Sequence, residues 1–226
     1  MEINYVCSIG SFCHTASYLK DNKLRYCAYP FDNITSAPEM VTDCLRDDFK
    51  LFLDKTRYEE IICWDGSISS NHKLYGKFSH SIGLNKETHF NLTFRHNNIT
   101  TDNDYNSFKR RIERFRMLLK KEEPKLFLLF SQDTEFTKKE MNELNDMLKT
   151  KTTNYQIMCI TMLNDFQPHH VIEEVDNIKY VKLYTYGRSD GGKFLCHPGN
   201  GYLDGLIRSY YNFQLKDDIK LDNGGV

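Results

Sequence analysis

Paired cysteines, long apolar runs and a surplus of either charge are all missing from this chain. Its seven cysteines are scattered, odd in number and nowhere arranged as CxxC. That excludes a disulfide framework and points to free thiols in a reducing compartment. Cys27, Cys44, Cys63, His72 and His89 also lack the close paired spacing of a zinc site. No apolar stretch approaches the roughly 20 residues of a membrane span. Lys and Arg number 30 against 31 Asp and Glu, so the basic excess of an electrostatic nucleic-acid binder is absent. The N-terminus has no basic segment followed by an apolar one, so no signal peptide is expected. The sequons at Asn33, Asn91 and Asn98 are then expected to go unused, and the protein to be cytoplasmic.

At 226 residues, 40% hydrophobic and 27% charged, the composition suits one soluble domain with a real core. Aromatics reach 13%, mostly Tyr and Phe, which fits that core. Apolar runs predict strands over Ile3–Ser8, Leu24–Tyr29, Glu60–Trp64, Lys125–Phe130, Tyr155–Met162 and Ile178–Tyr184. Helices are expected from Thr15 to Asp21, from a Ser36/Glu39 capping box through Leu45, and again near Phe49–Leu53. Three- and four-residue apolar spacing predicts further helices from Tyr105, over Thr137–Lys149, and over Leu203–Tyr211. Strands alternating with helices imply an α/β fold. The expected architecture is a mainly parallel sheet flanked by helices, a Rossmann-like three-layer sandwich, in a single domain spanning 1–226.

The stretch Ser8-Ile9-Gly10-Ser11-Phe12-Cys13 joins the first strand to the first helix. Such a junction leaves backbone N–H groups aimed at whatever occupies the turn. The positive end of the helix dipole is expected to lower the pKa of Cys13 and favour its nucleophilic thiolate.

That turn, with Ala16, precedes Leu24-Arg25, Tyr29-Pro30-Phe31-Asp32, Asp47-Asp48-Phe49, Phe78-Ser79-His80, and a helix carrying Tyr105 and Arg111-Ile112-Glu113-Arg114-Phe115. In this order the segments resemble the family described as putative papain-like cysteine peptidases, found in bacteria and large DNA viruses. The likeness spans about residues 3 to 130. It implies a cysteine-dependent hydrolase, peptidase or acyl transferase with Cys13 as nucleophile, His80 as base and Asp32 as the group orienting it. Ser8, Gly10, Ser11, Arg111, Arg114 and His197 are the expected substrate-binding residues, Arg111 and Arg114 because they match the family's helix. Two positions depart from the pattern: Asn33 stands where tryptophan is usual, and Ser81 follows His80 where an aspartate is common.

The base is open on spacing alone. Papain-like enzymes place histidine roughly 130–150 residues past the cysteine, whereas His80 is 67 beyond Cys13 (80 − 13). His169 and His170 lie 156 and 157 beyond (169 − 13 and 170 − 13), and His197 has Asn200 nearby as an orienting amide. A second reading takes the strand–glycine–helix turn as a phosphate site in a nucleotide-sugar-dependent glycosyltransferase, with a divalent metal on Asp102 and Asp104. Gly10 stands alone without a GxGxxG fingerprint, and an acidic loop capping the Tyr105 helix accounts for the two aspartates more simply. A non-catalytic interaction module is the third reading. The first reading needs no cofactor or metal, takes a peptide or a small-molecule or glycan substrate, and would operate in the host cytoplasm were the chain viral.

Overall fold

The computed structural model describes residues 1–63, 66–77, 92–219 and 221. It is a mixed α/β structure built on a five-stranded, mostly parallel sheet. The strands are β2 (Tyr5–Ser8), β5 (Lys125–Gln132), β6 (Tyr155–Asn164), β8 (Ile178–Thr185) and β7 (His169–Val175), in that spatial order. Pairs β2–β5, β5–β6 and β6–β8 are parallel, and β7 closes the edge antiparallel to β8. All eight residues of β5 are buried, as its unbroken apolar run requires of a central strand. A short parallel pair, β1 (Glu2–Ile3) with β9 (Asn212–Phe213), ties the ends of the chain together. A separate hairpin pairs β3 (Tyr58–Ile62) with β4 (Ile68–His72).

Five α-helices occur among the described residues: α1 (Cys13–Asp21), α2 (Pro38–Arg46), α3 (Asp102–Leu119), α4 (Lys138–Lys149) and α5 (His197–Tyr210). Alternate residues of β5 meet different helices. Phe127 packs edge-on against Phe115 of α3, while Phe130 meets His14 and Tyr18 of α1. Phe52, Tyr58, His72, Phe94 and Phe108 form an aromatic cluster between the hairpin and α3. No helix among the described residues is long and apolar enough to cross a membrane.

Several expected elements are corrected. Leu24–Tyr29 is not a strand but a loop, folded back by Asp32, whose carboxylate accepts from the Tyr29 amide at 2.9 Å and from Arg25. Ser36 does not cap α2. It bridges Ser11 instead, and α2 starts at Pro38, a residue suited to a first helical turn. Phe49–Leu53 is a run of turns, opened by Asp48 and Phe49 at positive φ. Helix α5 begins at His197 rather than Leu203, since Pro198 fits its first turn and Asn200 folds back onto the Phe194 and Cys196 carbonyls.

Candidate active site

The turn after β2 is stitched to β5. Ile9 N–H donates to the Leu128 carbonyl at 2.9 Å and Ser11 N–H to Phe130 at 3.0 Å, and Phe130 N–H returns a bond to Gly10 at 3.1 Å. Ser8 and Ser11 are fully buried, and the Ser11 hydroxyl donates to the Phe130 carbonyl at 2.6 Å. Gly10 has φ +120, and a Cβ there would sit 2.3 Å from Ser36 Oγ. Only glycine allows both that backbone and that approach. Thr15 Oγ1 donates to the Gly10 carbonyl at 2.6 Å and accepts from Phe130 N–H at 3.2 Å, pinning α1 to the turn.

Cys13 is therefore the first residue of α1, half-buried at the carboxyl end of β2. Phe12 before it supplies no side-chain cap, so the first-turn amides have neither that partner nor an intrahelical one. The lowered thiol pKa expected from the sequence is overturned. Burial pushes the Cys13 thiol up and outweighs the opposing pull of Arg95 and of its own backbone N–H. His14, the next residue, is buried among the rings of Phe12, Phe130 and Phe194 at 6.0, 5.7 and 5.1 Å. Burial lowers its pKa to about 4, and its Nδ1 has no hydrogen-bond partner among the described residues.

Asp32 is wholly buried and paired with Arg25. Arg111 donates to its main-chain carbonyl at 3.4 Å and lies over the Phe108 ring at 4.5 Å. Burial pushes the Asp32 carboxyl up against the pull of Arg25 and the Tyr29 amide, and its Oδ1 has no partner among the described residues. Arg114 stands near the half-buried Cys27, helping to hold down a thiol that burial raises. Asn33, the departure from the tryptophan of the family pattern, adopts φ +59, a left-handed conformation that asparagine tolerates well.

The histidines are dispersed. His80 falls within 78–91 and lies outside the described residues. His169 and His170 are exposed on the edge strand β7, the first stacked on Tyr184 at 4.2 Å and the second 2.8 Å from the Tyr202 hydroxyl. His197 is exposed at the start of α5. It lines a hollow of about 440 Å³ between α1 and α5, together with His14, Tyr18, Lys193 and Asp204. Asp102 and Asp104 occupy the first turn of α3. Asp102 pairs with Lys55 at 2.8 Å, and Asp104 accepts from the Asn98 amide at 2.7 Å. Among the described residues no group of three or more His, Cys, Asp or Glu is arranged to hold a metal ion.

Arg95 and His14 were not singled out by sequence. His14 had a visible signal in following Cys13 directly. Arg95 carries none, because only the fold brings it to the thiol.

The model of a family described as "putative papain-like cysteine peptidase" covers residues 4–167, well over half the chain. No curated protein and no solved structure matches it.

Proposed function

The chain belongs to that putative papain-like cysteine peptidase family, and from this membership we propose that it is a cysteine-dependent peptidase or acyl transferase acting on a peptide, with Cys13 as nucleophile. The observation that carries the reading is the placement of one half-buried thiol at the uncapped start of α1, where the strand–glycine turn opens. A base takes the thiol proton, and sulfur attacks the peptide carbonyl. The C–S bond forms as the carbonyl π pair moves onto oxygen, and when that oxyanion collapses the C–N bond breaks and the departing amine takes the proton from the base. Water then cleaves the thioester, or an acceptor amine takes the acyl group. The amides of the first turn of α1 are the donors suited to the oxyanion. His80 is the base that the family resemblance supplies, and Asp32 is its orienter, a role supported by a buried Oδ1 that has no partner among the described residues. Because the thiol pKa is raised at rest, the proton must be removed by that base in the reacting complex. We also infer a three-layer arrangement of the fold, supported by the different helices that meet Phe127 and Phe130. The Ile9 and Ser11 amides donate to β5 and so are not open to a phosphate, which weighs against the glycosyltransferase alternative.

A peptidyl epoxide, which alkylates cysteine-peptidase nucleophiles, tests the assignment. Mass mapping is expected to find the label on Cys13 of the folded protein, with peptide cleavage or transfer lost in Cys13→Ala. A Cys13→Ala protein that folds and keeps full activity would overturn the assignment.

A further inference from the structure

We propose that Arg95 is a positioning residue for the Cys13 sulfur, holding its thiolate by charge at the mouth of the turn. Three short stretches lie side by side there. Ser36 N–H donates to the Ser11 carbonyl at 2.8 Å, and Thr35 N–H donates to Thr93 at 2.9 Å. Cys13 lies two residues beyond Ser11, and Arg95 two beyond Thr93, so the bonded segments 11, 35–36 and 93 bring the two residues into one neighbourhood, where the Arg95 charge reaches the thiol.

The segment bearing Arg95 is firmly anchored. Phe94 is fully buried in the aromatic cluster, its amide donates to the Ser70 carbonyl at 3.1 Å, and its carbonyl accepts from the Ser69 hydroxyl at 2.6 Å. Thr93 Oγ1 donates to Asn71 at 3.0 Å. With Thr93 and Phe94 buried, Arg95 and His96 are left exposed. Arg95, like Arg110, Arg111 and Arg114 on α3, has no carboxylate partner among the described residues, whereas Arg25, Arg46, Arg57, Arg116, Arg188 and Arg208 are paired. An unpaired guanidinium on a fixed backbone, within electrostatic reach of a half-buried thiol, is free to receive the negative charge that forms there. It acts on Cys13 and on neighbouring His96, whose pKa is lowered first by partial desolvation of its ring and then by the Arg95 charge.

This inference rests on Cys13 as the reactive thiol, but its test does not depend on the reaction catalysed. Alkylation of Cys13 by iodoacetamide, followed by mass spectrometry across pH, reads the thiolate directly. Arg95→Gln is expected to move the profile to higher pH, with the rate on the rising limb falling about three- to tenfold. Arg95→Lys restores most of the rate, since charge rather than shape is needed. Raising salt on the unaltered protein moves its profile in the same direction as Arg95→Gln, an arm that requires no variant to fold. Superimposable profiles for the unaltered protein and Arg95→Gln, or a lysine variant as slow as the glutamine one, would overturn the assignment. Loss of peptide cleavage in Cys13→Ala without any Arg95 effect would leave the peptidase reading standing and remove this one.

Discussion

At the scale of single residues, the site is shaped by burial more than by helix position. A helix start favours a thiolate, yet burial of Cys13 outweighs the pull of Arg95 and of its own backbone N–H and leaves the thiol raised. His14 shows the same effect in reverse. Its imidazole titrates at about 4 in the folded chain against 6.5 when free, so the unfolded chain binds its proton first. Stability from this residue is complete above pH 6.5 and is lost as pH falls toward 4, by about 3 kcal/mol in all. Chemical denaturation of the parent and of His14→Leu across that window is expected to show the gap between them shifting in favour of His14→Leu with acidification. A gap independent of pH would contradict the assignment. The nucleophile candidate was legible in the sequence because glycine, cysteine and the following helix pattern are local signals. Arg95 was illegible because its relation to Cys13 passes through Ser11, Ser36, Thr35 and Thr93, four residues from three distant segments.

Among the elements, the turn between β2 and α1 is the least tolerant of change. Gly10 meets two separate constraints, a φ that L side chains rarely adopt and the Ser36 hydroxyl 2.3 Å from where a Cβ would lie. Gly10→Ala is expected to destabilise by about 2–4 kcal/mol, combining backbone strain with the clash. Adding Ser36→Ala removes the clash alone and should restore only part of the melting temperature. Full restoration would show that the backbone conformation costs nothing. Elements with strong patterns were readable: β5 and the middle of β6 are apolar runs, β8 buries Val181 and Leu183 at alternate positions, and α3 repeats Phe108, Ile112, Phe115 and Leu119 on its buried side. Strand β7 was not readable. His169–Val175 is exposed along nearly its whole length, so an edge strand with little to bury leaves no hydrophobic alternation. The Leu24–Tyr29 segment misled in the opposite sense, since its apolar residues serve a loop organised by a buried ion pair.

Across the whole molecule, the matched family segment and the completed sheet do not coincide. Residues 4–167 carry β2, β5 and β6, while β8 pairs along β6 from Ile157 to Asn164 and comes from beyond the match. Helix α5 also lies outside it, and its Asp204 accepts from the Tyr18 hydroxyl of α1 at 3.0 Å. A chain stopped after Gln167 is expected to lack a cooperative thermal transition and to aggregate, because the edge of β6 and one side of α1 are uncovered. Near-UV circular dichroism like that of the intact protein, with a single sharp melt, would refute this.

The insertion of β8 between β6 and β7 also imposes an order on synthesis. As the chain leaves the ribosome, β6 and the strand that will border the sheet both emerge before the strand that must separate them. The outer edge of β6 therefore stays open until residue 185 has cleared the exit tunnel, when β8 docks on it with β7 as its hairpin partner.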